Sequence, residues 1–294
     1  MAKGRELKGR IKSVENTRKI TRTMEMVATS KMKRAQDRVI AARPYATALA
    51  EVISSLYSPE LAERFPLLRQ PSGTAKRAAV ILITGNRGLA GAFNSNLIKE
   101  ARTLISRLES EGTEVAIHAV GKKGLGYFRY MNRAVASSKT DVGDQPTGKT
   151  AAELVDGLMN EFVAGTLDAV YVVYARFVSA LSAPATSEQV LPVSPPERKS
   201  GDTKSGGAVP DYLLFPSAEA ILEKLLPSYV RNSVYRALVE TIAGFYSAQR
   251  TAMKNATDNA GEMLNVLRRT YNRARQAQIT QEISEIVGGA AALE

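Results

Sequence analysis

Each end of the chain repeats apolar or small residues at intervals of three and four over many turns. Between Arg5 and Leu56 there is no glycine after Gly9 and one proline, Pro44. This spacing predicts a long amphipathic helix of the coiled-coil type, running through Leu7, Ile11, Val14, Ile20, Met24, Met32, Val39, Leu49, Ile53 and Leu56.

A second such stripe begins near Val230. It passes through Val234, Leu238, Ile242, Phe245, Ala260, Met263, Leu267, Tyr271, Ala274, Ile279, Ile283 and Ile286, and Gly288-Gly289 predicts its end. Each helix would expose its narrow apolar face if it were alone. We therefore expect the two to pair as an antiparallel coiled coil.

The middle of the chain has a different pattern. Ala78 to Thr84, Val115 to Val120 and Ala169 to Val178 are apolar runs typical of buried strands. Helical periodicity occupies Phe93 to Glu111, Lys122 to Met131 and Ala151 to Val163. The fold class is therefore α/β: a long antiparallel coiled coil of N- and C-terminal helices plus a central Rossmann-like α/β domain. The expected domains are residues 1–58, 76–215 and 217–294.

Composition and charge exclude several classes of protein. The 294 residues include no cysteine and one histidine, so thiol nucleophiles and cysteine- or histidine-rich metal sites are excluded. The longest stretch without charge that we find has eleven residues, too short to span a bilayer.

The chain has a net charge of +11, and most of it lies in residues 1–43, which carry 13 basic and 4 acidic groups. An acidic partner should therefore meet the N-terminal helix. Nucleic acid is disfavoured, since these charges follow the helix that carries the apolar stripe rather than a separate basic region.

One segment matches a nucleotide-binding motif. Gly143 to Thr150 fits the pattern G-x-x-x-x-G-K-T, in which backbone amides and a lysine hold phosphates. A convincing buried strand before it is missing, and the best candidate magnesium ligand, Asp168, lies at the wrong end of its strand. A turn that caps a helix is the favoured interpretation, and an independent P-loop NTPase with a coiled-coil arm, or a basic coiled-coil scaffold, is the alternative.

Two further features have structural interpretations. Gly85 to Gly91 follows the first strand but lacks the G-x-G-x-x-G spacing of a dinucleotide loop, so it is interpreted as an exposed turn that offers Arg87 to a partner. His118 lies inside a predicted strand with no catalytic partner nearby in sequence, and we expect it to be packed or hydrogen-bonded.

Several segments resemble one known family. These are Arg10 to Thr21, Met24 to Met32, Thr84 to Gly91, Ala256 to Asn259 and Asp211 to Leu213, and above all the C-terminal run Ala274-Arg275-Gln276-Ala277, Ile279-Thr280-Gln281-Glu282, Glu285 and Gly289-Ala290. In residues and spacing they are similar to the gamma subunit of the rotary F-type ATP synthase, bacterial type. Many relatives have Asp where Asn86 stands and Cys where Ala90 stands, so neither an acidic loop nor thiol chemistry is expected here.

The resemblance implies a non-catalytic rotor shaft that couples ion-driven rotation of a c-ring to ATP synthesis or hydrolysis on beta subunits. It implies one copy per complex, partnered by alpha, beta and epsilon subunits and the c-ring, with no cofactor or metal. Residues implied to contact the alpha/beta ring are Met24, Arg87, Arg275, Gln276, Thr280 and Glu282, and Tyr212 is implied to face the c-ring or epsilon. With no secretory signal evident at the N-terminus, the expected location is the cytoplasmic face of a bacterial membrane, reached only through partners.

Overall fold

The computed structural model describes residues 2–56, 64–69, 75–194 and 217–291. Two compact units divide the chain, one formed by Met1–Ser30 with Gln249–Glu294 and the other by Lys31–Ala248. Two long helices, α1 (Ala2–Leu56) and α5 (Ala218–Ala291), each contribute to both units. No helix in the described part of the chain is long and apolar enough to cross a membrane.

Among the described residues between α1 and α5 there are five strands and three further helices, and a short 3-10 helix covers Pro66–Leu68. In chain order they are β1 (Arg77–Ile83), α2 (Phe93–Ser110), β2 (Glu114–Val120), α3 (Lys122–Tyr130), β3 (Ser137–Lys139), α4 (Gly148–Val163), β4 (Ala169–Ala175) and β5 (Ala185–Leu191).

The sheet has the order β3-β2-β1-β4-β5. Strands β1 to β4 are parallel, and β5 pairs antiparallel with β4. In register, Val80 of β1 lies opposite Ile117 of β2 and Tyr171 of β4. The chain adds strands on one side of β1 and then crosses to the other, so the crevice at the carboxyl ends of the strands lies where doubly wound proteins bind ligands.

Both faces of the sheet are covered, which explains why its strands are apolar almost throughout. Ala78, Val80 and Leu82 of β1 pack with α2 on one face. Ala79 and Ile81 pack with α4 on the other. Successive side chains of a strand point to opposite faces, so a strand buried on both sides loses the alternation of polar and apolar residues.

The unit containing Met1–Ser30 and Gln249–Glu294 is an antiparallel helix pair. The hydroxyl of Thr257 donates to that of Thr21 at 2.8 Å, and Arg268 pairs with Glu15 at 2.6 Å, so residue numbers rise on one helix as they fall on the other. Small side chains lie beside larger ones in the seam, where Ala28, Thr257, Ala260, Met253 and Leu264 are buried. The predicted antiparallel pairing is confirmed.

The structure corrects the C-terminal part of the predicted seam. Met263, Ile279, Ile283 and Ile286 continue the spacing in the sequence, yet all are exposed, as is Ile20 on the other helix. Leu264 is the buried residue next to Met263, and residues beyond Gln278 extend past the part of α1 against which they could pack. Periodicity in the sequence identifies an apolar stripe on a helix, but the stripe is buried only where a second helix packs against it.

The predicted stop at Gly288-Gly289 is also wrong, since α5 continues to Ala291. A glycine ends a helix when it adopts the left-handed conformation, and Gly288 does not have the positive φ seen at Gly112 and Gly165. Glycine within a helix costs only about 1 kcal/mol, so the helix can pass through it.

Candidate functional site

The last turns of α5 form a single exposed helix. Tyr271, Ala274 and Gln278 are half-buried and mark the face turned toward α1. From Ile279 to Gly288 every residue is exposed. This end of the helix therefore presents its whole circumference for contact.

An apolar ridge runs along this exposed end. Its members, Ile279, Ile283 and Ile286, are 42%, 56% and 71% exposed. At about 100° per residue they fall within a sector of about 60°. Isolated exposed apolar residues are ordinary, but an aligned set on one helix face is typical of a surface that another protein covers.

The four predicted contact residues of α5 flank this ridge. All are exposed, and helical geometry places Arg275 and Glu282 along one side of the ridge and Gln276 and Thr280 along the other. The carboxylate of Glu282 accepts a hydrogen bond from Gln278 at 2.8 Å, and Gln281 donates to Glu285 at 2.9 Å. Each carboxylate is thus hydrogen-bonded to a glutamine of its own helix one turn earlier.

The other predicted contact residues lie elsewhere. Met24 is half-buried on the helix pair, one turn before the fully buried Ala28. Arg87 belongs to the other compact unit, on the exposed loop after β1. Tyr212 lies outside the described residues. The structure therefore places four of the predicted residues on one stretch of helix and does not join the remainder to them.

The loop that carries Arg87 has a defined backbone. Asn94 of α2 accepts a hydrogen bond from the amide of Gly85 at 2.8 Å and donates to the carbonyl of Arg87 at 3.3 Å. Leu89, 61% exposed, adopts a positive φ of 63°. This conformation is costly for a leucine and persists only where the surroundings fix it. The sequence analysis missed Leu89, and its exposed side chain beside Arg87 makes it a further candidate contact.

A crevice of about 410 Å³ lies at the carboxyl ends of β1 and β2, and it is also lined by residues of α5. The amides at the start of α3 already have acceptors within the chain: Lys122 N–H donates to Asn86 at 3.0 Å, Lys123 N–H to the Gly85 carbonyl, and Gly124 N–H to Thr84 Oγ1 at 2.9 Å. Amides at a helix N-terminus can bind an anion, but these three are used by the chain itself.

Helix α5 packs against this edge and lines one side of the crevice. Phe245 lies so close to Gly85 that a Cβ there would be 2.9 Å from its ring, and Gly244 approaches the Cβ atoms of Ala175 and Ala183. The amide of Ala175 donates to Thr241 Oγ1 at 3.2 Å, which ties the end of β4 to the same helix. A helix of the chain thus bounds the crevice beside the strand ends.

The segment that matches the P-loop motif acts as a helix cap. Thr147 is the N-cap of α4, and it exchanges hydrogen bonds with Thr150 in a capping box. Asp168, considered as a magnesium ligand, instead accepts the amides of Lys76 and Arg77 at 2.8 and 3.0 Å. These contacts agree with the structural interpretation favoured by the sequence.

Asp144, within the same segment, lies in a polar cluster. Its carboxylate accepts from Lys31 Nζ at 2.7 Å and from the Tyr246 hydroxyl, and Arg38 donates to its carbonyl at 2.8 Å. Burial favours the neutral acid, but the hydrogen bonds from Lys31 and Tyr246 outweigh it, so the pKa of Asp144 is lowered. The segment therefore links α4 to α1 and α5 through side chains that a phosphate-binding loop would keep free.

His118 is hydrogen-bonded, as expected. Its Nδ1 lies 2.7 Å from the hydroxyl of Ser137 on β3, and burial lowers its pKa. Within the described part of the chain, no group of three or more His, Asp or Glu side chains is arranged to hold a metal ion.

Comparison with known proteins decides the family. The ATP synthase family profile matches residues 3–293. The ATP synthase gamma chain of Gemmatimonas aurantiaca is 67% identical over 294 residues, covering all of both chains, and that of Leptospira biflexa is 43% identical over 293 residues, also covering both. The chain belongs to the ATP synthase gamma chain family.

Solved structures agree on the fold of this gamma chain family member. A chain of the Euglena gracilis mitochondrial ATP synthase, solved with OSCP, F1 and the c-ring, superposes with a TM-score of 0.66 at 19% identity, covering 99% of this chain and 95% of that one. A central stalk chain of the Tetrahymena thermophila enzyme gives a TM-score of 0.58 at 23% identity, over 81% and 99% of the two chains. The predicted fold class, long helices around a Rossmann-like domain, is confirmed.

The sequence analysis assigned Ile279, Ile283 and Ile286 to the seam, although these residues are exposed and lie between the predicted contact residues. The antiparallel register explains the difference. Thr21 lies opposite Thr257 and Glu15 opposite Arg268, so the last described turns of α5 lie at or beyond the first described turn of α1.

Proposed function

We propose that this chain is the central shaft of an ATP synthase, carrying rotation from a membrane ion-driven c-ring to nucleotide-binding subunits. The observation that supports this most strongly is the stiff antiparallel helix pair whose C-terminal helix continues alone as an exposed end, in a chain of the gamma family. The chain itself is non-catalytic in this proposal, and the catalytic residues belong to the alpha and beta subunits.

The exposed end of α5 would turn inside the ring of alpha and beta subunits. The apolar ridge would face an apolar sleeve, and Arg275, Gln276, Thr280 and Glu282 would meet polar loops of the ring. Met24 and Arg87 would supply further contacts. Exposed ion pairs are worth about 0–1 kcal/mol each, so many weak contacts can hold an orientation without preventing rotation.

The other end would connect to the rotor. Tyr212 would face the c-ring or the epsilon subunit, with one copy of this chain per complex. The chain would reach the cytoplasmic face of a bacterial membrane only through these partners. No cofactor is required, since a shaft acts through contact alone.

Co-expression with alpha and beta subunits tests the proposal. The chain is expected to co-purify with them and to rotate relative to them during ATP hydrolysis, as seen with a bead attached to an exposed residue. Isolation of the chain free of those subunits, or ATP hydrolysis by the chain alone, would contradict the shaft role.

A charge placed on the ridge tests where the contact lies. Ile283→Asp should weaken assembly or hydrolysis by the complex about tenfold or more, because an apolar side chain of this size contributes about 1.5–3 kcal/mol when buried. Ser284→Asp adds the same charge to the neighbouring, exposed helix face and should have a much smaller effect. Equal effects of the two variants would argue against the ridge as the contact.

The alternative of an independent P-loop NTPase has a direct test as well. Lys149→Ala would abolish nucleotide binding by such an enzyme, whereas a shaft would keep its coupling activity. The capping role of Thr147 and the cluster around Asp144 favour the second result.

A further inference from the structure

A cavity of about 730 Å³ lies within the Lys31–Ala248 unit. It is separate from the crevice at the carboxyl ends of β1 and β2. It is bounded by α1, the end of β4, β5 and α5. Its volume is within the range of small-molecule sites in proteins, about 300–1,000 Å³. Most of the side chains that line it are polar, so it is not an ordinary packing defect.

Three arginines from three different elements line this cavity. Arg43 comes from α1, Arg176 follows β4, and Arg236 comes from α5. Arg43 and Arg176 are exposed, whereas Arg236 is half-buried, so the first two lie at the surface and the third lies deeper. Convergence of guanidinium groups from distant parts of a chain is costly unless negative charge lies between them.

The two carboxylates of the cavity do not use up these donors. Glu188 binds Nη2 of Arg236 at 2.6 Å and also accepts from the Tyr174 hydroxyl at 2.7 Å. Glu240 is buried and accepts the Phe177 amide at 2.9 Å. Burial raises the pKa of Glu240, although Arg236, Arg43 and Arg176 act in the opposite direction.

Donors are therefore in excess over acceptors. The Nε of Arg236 is buried and has no hydrogen-bond partner among the described residues. Among the described residues, Arg43 makes one long side-chain hydrogen bond, 3.4 Å to the Phe177 carbonyl, and the Arg176 side chain makes none. A guanidinium carries five N–H donors and no acceptor, so the unfilled capacity calls for a ligand rich in acceptors.

We propose that this cavity binds a small phosphate-bearing anion, held by Arg236 from below and by Arg43 and Arg176 at its mouth. Arginine forks match the oxygens of phosphate in pairs, and the half-buried position of Arg236 strengthens such charged hydrogen bonds. This site would be separate from the contacts of the shaft, and the anion would link α1, the edge of the sheet and α5.

Calorimetric titration of the full-length chain tests the site, with inorganic phosphate, pyrophosphate and AMP as separate probes. Saturable binding of one molecule is expected. Tighter binding of phosphate or pyrophosphate than of AMP would identify a free anion as the ligand, and the reverse order would identify a phosphorylated organic molecule. No saturable binding of any probe up to about 10 mM would overturn the proposal and leave the cavity to water or to an acidic side chain of a partner.

Variants locate the binding. Arg236→Gln should raise the dissociation constant at least about tenfold, as expected for loss of charged hydrogen bonds. Arg231→Gln is the matched control, since Arg231 lies on the same helix but pairs with Asp156 at 2.7 Å outside this cavity. Equal weakening by the two variants would mean diffuse attraction to a basic surface and would overturn the proposal.

Two more variants keep the test independent of folding. Arg176→Gln removes an exposed side chain at the mouth and should weaken binding several-fold even if Arg236→Gln does not fold. Glu188→Gln keeps an acceptor for Tyr174 but removes the charge that competes for Arg236, so it should tighten binding. Weaker binding by Glu188→Gln, together with an unchanged affinity for Arg176→Gln, would contradict the assignment.

Discussion

Gly121 lines the crevice at the carboxyl ends of β1 and β2, and replacing it should lower the stability of the fold. It joins β2 to α3 with φ 94° and ψ 148°, a conformation open almost only to glycine. A Cβ at this position would lie 2.1 Å from the carbonyl oxygen of Thr84. Because that oxygen belongs to the backbone, the contact cannot be relieved by rotating a side chain.

The expected cost of Gly121→Ala follows from these contacts. The backbone conformation alone costs about 1–3 kcal/mol in a residue with a Cβ. Moving α3 away from Thr84 would also weaken the bonds that Gly121 N–H makes to Lys139 and Gly124 N–H makes to Thr84, about 0.5–1.5 kcal/mol each. Together the free energy of unfolding should fall by about 2–6 kcal/mol.

Thermal unfolding followed by circular dichroism measures this loss. At about 2–4 °C per kcal/mol, the melting temperature of the Lys31–Ala248 unit should fall by about 4 °C or more. Gly157→Ala is the control, because its Cβ would meet no described atom within 4 Å and alanine favours the interior of α4 by up to about 1 kcal/mol. A Gly121→Ala protein that melts within about 2 °C of the parent would refute the reasoning.

Three further substitutions test local contacts by chemical or thermal unfolding. Thr147→Ala should cost about 1 kcal/mol through loss of the N-cap, and an unchanged stability would argue against the capping role. Asp144→Asn should destabilise the chain at neutral pH but not in acid below the folded pKa of Asp144. Because that pKa is lowered, its bonds to Lys31 and Tyr246 stabilise the fold fully above the unfolded pKa, and this stability is lost as the pH falls through the folded pKa. Glu240→Gln should stabilise it near pH 7, because a raised pKa means that stability is lost as the pH rises through the folded value; equal stability curves for parent and variant would contradict this.

Much of the α/β domain could be predicted from the sequence because its central strands are buried on both faces. Such strands, β1 and β4 above all, are short apolar runs that stand out from helical periodicity. Predicted β4 extended to Val178, but the strand ends at Ala175, and the chain then turns back through hydrogen bonds between Ser179 and Ser182.

The edge strands could not be predicted by the same reasoning. β3 has three residues, Ser-Ser-Lys, and β5 buries only its last two side chains, Val190 and Leu191. Both are strands because of the neighbour they pair with, and pairing between distant segments leaves no local pattern. The arginine-lined cavity escaped prediction for a related reason, since its charged residues come from elements far apart in sequence.

The attachment of α5 to the sheet explains how a Rossmann-like domain can serve in a shaft. Phe245 and Gly244 of α5 pack directly against the carboxyl edge of the sheet. Thr241 and Glu240 accept the amides of Ala175 and Phe177, so the helix is hydrogen-bonded to the edge as well as packed on it. Close-packed protein interiors have low compressibility, and a force on this part of α5 therefore passes directly to the sheet.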